Sequence, residues 1–443
     1  MEKTKVALVG MGTVGSGVAK LLLDYGDRTA RHAGRTLWLE KVLVRNPERV
    51  RAVELPDGVL TSSLEEITEN SEIKVVAQLI GGLEPARTIM LQLLESGKDV
   101  VTANKALLAE HGPELFDRAR ELGRSIAFEA AVGGGIPIIT PLSQCLTANR
   151  IESIHAILNG TSNFILDQMD TRGSSYDSAV QRAQELGYAE ADPTMDVDGS
   201  DAAQKLAILA HIGMGLKIHW SEIPCRGIDS LDPSDLQYAR RLGYRVKLLA
   251  TAQMVEDDLE LHVAPTLVKM GTPLSEVHGA YNAIRVVGDA VGKVFFHGMG
   301  AGQMPTASAV VADLIDTAVG RAAITFRTLK LWSENTPRVT PRQYDQVPGR
   351  YYLRMRVLDE PGVMAKLTDV LGRQGVSIAS IIQHEEETTA TDTSPAKDTN
   401  SQAIVPIVIM THETKEGALR KAVEEFDQLE CVFGGCIRMP VRE

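Results

Sequence analysis

Through the first 150 residues, short β-rich apolar runs alternate with segments whose apolar residues recur at helical spacing. "KVALVGM" (5–11) reads as a strand, 14–24 as a helix, and "LEKVLVR" (39–45) and "KVVAQLIGG" (74–82) as strands. "ARTIMLQLLESG" (86–97) is a helix stopped by Gly97, "KDVVTAN" (98–104) a strand, "AEHGPELFDRARELG" (109–123) a helix and "SIAFEAAV" (125–132) a strand. Strands separated by helices of this length imply crossover connections, so a parallel sheet covered by helices is expected over 1–150.

From 151 to 330 the rhythm changes. "RIESIHAILNG" (150–160) is a strand running into a turn, "SAVQRAQELG" (178–187) and "DAAQKLAILAHIGMG" (201–215) are helices, and strands are expected near 245–254, 259–267 and 282–288. This stretch reads as an α+β domain. The helical segment 305–325, with Pro305 at its start, is expected to pack back on the first domain. Residues 331–349 are proline-containing and mixed in polarity, a linker. Residues 350–440 then read strand–helix–strand–strand–helix–strand, a ferredoxin-like unit. Within it, 385–402 is rich in Thr, Ser, Asp and Glu and holds no large apolar residue, so a disordered loop is expected.

With 443 residues, several domains are the prior. The formal charge of −12 argues against nucleic acid or an anionic membrane surface as partner. No run of 18 apolar residues occurs, and "MEKTKVALVG" has no secretory h-region, so a membrane-spanning segment and a signal peptide are not expected. Four cysteines (Cys145, Cys225, Cys431, Cys436) without C-x-x-C spacing fit a reduced, cytoplasmic setting. Cys431 and Cys436 lack a His or carboxylate cluster to complete a metal site and read as core residues.

Gly10-x-Gly12-x-x-Gly15 falls between the first strand and first helix, with Thr13 and Val14 inside it. That position permits a tight turn and aims free helix N–H groups at a pyrophosphate, the Rossmann-type dinucleotide fingerprint. The alternative is a purely structural glycine turn. The second strand ends in Arg45 rather than an acid, which suits a 2′-phosphate and hence NADP, with NAD as the other possibility; a solvated arginine is the bland reading. Lys105 follows a strand at the carboxyl edge of the sheet, where open α/β folds bind ligands. Gly133 to Gly135 beside Glu129 offer carbonyls to a hard cation or form a hinge.

The stretch "GYAEADPTMDVDGSDAAQK" (187–205) concentrates carboxylates before one lysine. Asp201 and Lys205 stand i, i+4 on one helix face that continues through Ile208, Leu209 and Ile212. On a surface they would form an ordinary ion pair. In a helix apolar nearly all round the pair is buried, and a buried lysine is costly unless paired or used in proton transfer. Pro193 and Gly199 argue that "EADPTMDVDGS" is non-helical, a loop able to wrap a small ligand carrying an ammonium group and a carbonyl.

Five strings, "TANKALLA", "FEAAVGGGIPII", "LNGTSNFIL", "LGYAEADPTMDVDGSDAAQKLAILA" and "GAGQMPTASAVVADL", together resemble homoserine dehydrogenase over about residues 4–325. "LNGTSNF" departs from the family in having Ser162 where threonine is commoner. The resemblance implies reversible reduction of L-aspartate 4-semialdehyde to L-homoserine with NADPH or NADH, toward threonine and methionine. It implies Lys205 as general acid/base, Lys105 as a second active-site lysine near substrate and nicotinamide, and Glu190 as the acceptor of the substrate's ammonium. Asp201, Asp196 and Gly187 would complete the substrate shell. Gly302 would lie where the chain returns to the cofactor. Glu129 with the carbonyls of Val132, Gly134 and Ile136 resembles a sodium site. A homo-oligomer, dimer or tetramer, is implied through the middle domain.

"VLDEPGVMAKLTDVL" followed by "GVSIASIIQ" resembles an ACT domain, which implies an amino-acid effector, with threonine expected. Asp359 would take its ammonium, and N–H groups at Gly362 and Val363 its carboxylate. The insert after Glu385 is atypical of a compact ACT domain. Two competing readings remain. An aspartate-semialdehyde dehydrogenase would need an activated thiolate, which neither Cys145, in the helix-like "PLSQCLTA", nor Cys225 offers. A non-catalytic sensor built from Rossmann and ACT modules would not need the acidic loop and buried lysine.

Overall fold

The computed structural model describes residues 2–331, 339–383 and 403–442. The acidic segment 385–402 lies outside the described residues, as does part of the 331–349 stretch. The chain divides into two compact units, each assembled from separate stretches: Met1–Gly160, Ser200–Ile223 and Ala280–Thr340 form the first, and Thr161–Gly199, Pro224–Gly279 and Pro341–Glu443 the second.

The first unit contains a six-stranded sheet made from β1 (Lys3–Val9), β2 (Thr36–Leu43), β3 (Leu60–Thr61), β4 (Ile73–Gln78), β5 (Asp99–Thr102) and β6 (Ile126–Ala127), ordered β3-β2-β1-β4-β5-β6. Every pairing is parallel. The order reverses beside β1, so the β1 turn opens at the switch point where such sheets bind ligands. Helix α1 (Thr13–Asp24) follows that turn. Val6, Leu8, Leu39, Val75 and Ala77 from the strands share a core with Val18 of α1 and with Ala307, Val310 and Leu314 of the helix Gln303–Ala318. Gly17 lets these two helices meet, since a Cβ there would lie 2.9 Å from the Ala307 Cβ.

The expected strand 125–132 is a strand only at Ile126–Ala127, and Glu129–Ala131 instead form a 3₁₀ turn. The Glu129 amide bonds the Asp313 carboxylate at 2.8 Å, which takes it out of any ladder. "PLSQC" is a π-type turn, Pro141–Cys145, rather than an α-helix. The first unit also holds the antiparallel strands Ile151–Ile157, Tyr281–Gly288 and Gly292–Met299, the middle one pairing with both neighbours. Helix α2 (Ser200–Met214) is buried at every position from Asp201 to Ala210. The helix Lys105–Glu121 packs along it.

In the second unit the hairpin Tyr244–Val255 and Asp258–Lys269 pairs antiparallel. Its second strand pairs parallel with Val432–Arg442 through Val441 and Arg442. Pro348–Leu358, Ile404–Thr411 and Ile378–Gln383 extend the same sheet antiparallel. With the helices Val363–Arg373 and Glu416–Phe426, these elements give the ferredoxin-like order read from the sequence. Its core joins Leu353, Met355, Leu367, Leu371, Ile409, Leu419 and Phe426. Two segments read without helix contain one: Gly160–Arg172 follows the strand–turn, and Thr194–Val197 makes a single turn inside the acidic stretch. Pro193 sits at the cap of that short turn, where a missing N–H costs nothing, so proline did not forbid it.

Candidate active site

β1 ends at Val9 and the chain turns at Gly10, whose φ of +100° favours glycine. A Cβ on Gly15 would lie 2.3 Å from the Gly10 carbonyl oxygen, so Gly15 closes the turn from behind, next to Val14. Gly12 caps α1 with open space in front of it, and no acid occupies the first helical turn. The unsatisfied N–H groups there face a site suited to an anion. A cavity of about 690 Å³ opens on this turn, lined by Gly10, Gly12, Thr13, Ser16, Arg45, Arg49 and Arg51 among others. Arg51 donates to the carbonyls of Asn46 (2.5 Å), Pro47 (2.9 Å) and Arg49 (2.6 Å), folding the loop after β2 back on itself. Glycine turn, helix terminus and guanidinium groups fit a phosphorylated dinucleotide. Val14, Gly15, Lys105 and Gly302 do not line this cavity. Gly302 instead starts the helix Gln303–Ala318 at φ +122°.

A second cluster gathers around α2. Asp201 (6 % exposed) and Lys205 (9 % exposed) occupy successive turns of one buried face. Lys205 Nζ donates to Asp201 Oδ2 at 2.7 Å and to the Leu158 carbonyl at 2.7 Å. The other carboxylate oxygen of Asp201 lies 3.1 Å from Lys105 Nζ. Lys105 is the first residue of its helix, where the dipole disfavours a cation, so Asp201 supplies the compensating charge. Asn159 Nδ2 donates to Asp201 Oδ2 at 3.0 Å, and Asn282 Nδ2 to the Leu158 carbonyl at 2.9 Å. Burial alone would raise the Asp201 carboxyl. The ammonium charges of Lys205 and Lys105, with bonds from Lys205 and Asn159, outweigh it and hold it at about 2. The result is a fixed carboxylate between two lysines.

Asn159 and Asn282 also belong to this cluster, and the sequence reading did not single them out. Asn159 lay in the quoted string "LNGTSNFIL", and a buried polar group at a strand end was its signal. Asn282, 124 positions from Leu158, carried none.

Glu129 is buried, and its carboxylate accepts three backbone amides: Ile138 (2.6 Å), Ile139 (2.8 Å) and Thr140 (2.8 Å). Gly133 (φ +75°) and Gly134 (φ +56°) shape the turn that follows. A Cβ on Gly134 would strike the Gly300 carbonyl oxygen at 2.3 Å. The carbonyls of Val132, Gly134 and Ile136 accept no backbone amide among the described residues, whereas that of Gly133 accepts Ile136 N. Those three are the kind of hard oxygen donors a monovalent cation takes, while the Glu129 carboxylate is already engaged. Burial, then the Glu129 charge, pushes the Asp313 carboxyl well up.

The segment 10–129 matches the model described as homoserine dehydrogenase, NAD binding domain, and 137–315 the model described as homoserine dehydrogenase. The enzyme of this name from Synechocystis is 43% identical over 437 residues, 97% of each chain, and that from Pseudomonas aeruginosa 39% identical over 100% of each. This chain belongs to the homoserine dehydrogenase family. Among solved structures, a homoserine dehydrogenase from Thiobacillus denitrificans superposes with a TM-score of 0.89 at 40% identity, covering 100% of this chain and 99% of the other. A hyperthermophilic archaeal homoserine dehydrogenase in complex with NADPH superposes at 0.60 and 27% identity, over 72% of this chain and 98% of that one. Residues 351–431 match the ACT domain model.

The remaining candidates of this homoserine dehydrogenase-family chain belong to the second unit. Gly187 (φ +74°) ends the helix Tyr176–Glu185. Glu190 is exposed, and its carbonyl accepts Gln184 Nε2 at 3.1 Å. Asp196 lies in the short turn Thr194–Val197. In the ACT domain, Gly362 (φ +95°) caps the helix Val363–Arg373 with no side-chain cap. The exposed Asp359 accepts Gln383 Nε2 at 3.3 Å. Val363 is buried and its amide donates to the Glu360 carbonyl at 3.3 Å, so that amide is engaged within the loop.

Proposed function

We propose that Lys205 is the proton-transfer group of a homoserine dehydrogenase that interconverts L-homoserine and L-aspartate 4-semialdehyde. The observation that carries this reading is the ammonium fixed by Asp201 and by the Leu158 carbonyl, both at 2.7 Å. Two of its three N–H bonds are committed, and the third is left for a substrate oxygen. In the semialdehyde direction the Lys205 ammonium gives a proton to the aldehyde oxygen and is left as the neutral amine; in the homoserine direction that neutral amine takes the hydroxyl proton and becomes the ammonium. Gly10, Gly12 and Thr13 would hold a nicotinamide dinucleotide, which would supply or take up the hydride. Lys105 adds a second positive charge where the oxygen becomes negative. Glu190, with Gly187 and Asp196, is assigned to the substrate's ammonium end.

The arginines around the cavity favour NADP over NAD, and Arg45, two residues past β2, is assigned to the 2′-phosphate. The carbonyls of Val132, Gly134 and Ile136 beside Glu129 are assigned to a monovalent cation, sodium on the family resemblance. The ACT domain is assigned to threonine, received by Asp359 and the helix start at Gly362, which inhibits turnover. The enzyme is read as a cytoplasmic homo-oligomer; no helix among the described residues is long and apolar enough to cross a membrane. The deciding assay follows NADPH oxidation with the semialdehyde by absorbance. Turnover is expected; cofactor binding without turnover would leave the sensor reading in its place.

A further inference from the structure

We propose that Asn282 is a positioning residue for Lys205, acting through the Leu158 carbonyl. Leu158 lies one residue beyond the strand Ile151–Ile157, whose last ladder partner is Ala283. Its carbonyl is therefore oriented by its acceptor role: Lys205 Nζ at 2.7 Å and Asn282 Nδ2 at 2.9 Å. An ammonium is tetrahedral. With two N–H bonds fixed on Asp201 and Leu158, the direction of the third is set, and a turn of the Leu158 carbonyl would redirect it.

Asn282 is built into this place. It is 1 % exposed, and its Oδ1 has no partner among the described residues, a costly arrangement unless the Nδ2 contact is needed. The opposite amide orientation would set Oδ1 against the Leu158 oxygen, so the donor must face that carbonyl. Two glycines make the room. A Cβ on Gly300 would lie 2.0 Å from Asn282 Nδ2, and one on Gly160 3.2 Å from its Oδ1. A Cβ on Gly160 would also meet the Ala280 carbonyl oxygen at 2.6 Å. The amide is thus clasped between the residue after Asn159 and the chain that follows Met299.

The inference rests on Lys205 being the proton-transfer group, and the experiment separates the two. In Asn282→Ala, kcat for homoserine oxidation is expected to fall on the order of 10- to 100-fold, as for a catalytic group displaced by about an ångström. KM for homoserine and for NADP should stay within about twofold, a split that general destabilisation would not give. Gly300→Ala, which forces the amide aside while keeping Asn282, should show the same split; if Asn282→Ala does not fold, this variant decides. Adding Asn282→Ala to Lys205→Ala should cost nothing further, because both act on one proton transfer. Wild-type kcat in a folded variant, a loss confined to KM, or multiplying losses in the double variant would overturn the role of Asn282. Near wild-type turnover in Lys205→Ala would overturn the Lys205 assignment instead.

Discussion

Asp201 Oδ2 stands 2.7 Å from Lys205 Nζ, one helical turn away, with both side chains buried. The same carboxylate faces Lys105 at 3.1 Å, so one negative charge is shared between two positive ones. With its carboxyl held at about 2, Asp201 is ionised at neutral pH, which disfavours it as the proton carrier. In the proposed mechanism its part is to anchor the lysine. The surplus positive charge favours an oxygen that becomes anionic during the reaction.

A pH dependence of stability follows. The folded-state value of Asp201 is depressed, so its contribution is complete above the unfolded carboxyl range and is lost as pH falls through about 2. The depression corresponds to roughly 2 kcal/mol. Urea unfolding between pH 5 and pH 2 should show this loss in the wild type and not in Asp201→Asn. Parallel losses in both proteins would assign the acid sensitivity to other groups.

Lys205→Ala should lower turnover by roughly 10²–10⁴-fold, the usual worth of a positioned acid or base. NADP affinity, measured by fluorescence titration, should remain near wild type, because the nucleotide cavity is lined by other residues. More than half the activity surviving at neutral pH would remove Lys205 from the chemistry.

Arg45→Ala should narrow the ratio of kcat/KM for NADP over NAD, by about tenfold if one charge-assisted contact to the 2′-phosphate is lost. Arg51→Ala should act in the same direction by loosening the loop that its three carbonyl contacts hold. A wild-type preference for NAD would overturn the cofactor assignment.

Cutting the chain after about residue 340 is the direct test of regulation by the tail, but the fold makes it a poor one. Asp235, fully buried, accepts Arg354 Nε at 2.5 Å, Arg354 Nη2 at 2.8 Å and Tyr352 Oη at 3.1 Å. Glu260, also buried, pairs with Arg442. Removing the tail would strand both carboxylates, and breaking one buried pair costs about 3–5 kcal/mol. Arg354→Met is expected to lose about that much in urea unfolding, and adding Asp235→Asn to restore part of it. Regulation is better tested with the exposed Asp359→Ala, which should weaken threonine inhibition without moving the melting curve. Equal inhibition of wild type and variant would place the effector elsewhere.

The local features of this enzyme were written in the sequence. The turn Gly10 to Gly15 was legible because strand, glycines and helix are consecutive, and each conformation is a property of neighbouring residues. The Asp201–Lys205 pair was legible because helical spacing places i and i+4 together whatever surrounds them, and the apolar remainder of that helix announced its burial. The tail's strand and helix order was legible because its apolar periods are clean.

What the sequence left open depends on contacts between distant segments. Nothing near Lys105 says which acid it meets, nor does anything near Asn282 point to the Leu158 carbonyl. The strand expected at 125–132 stops early because Asp313, from a helix far along the chain, captures the Glu129 amide, and three amides of 138–140 then take its carboxylate. The pairing of Val441 and Arg442 with the hairpin strand Asp258–Lys269 likewise has no local signal. Backbone edges and buried charges find partners by proximity in space, and only the folded chain supplies that proximity.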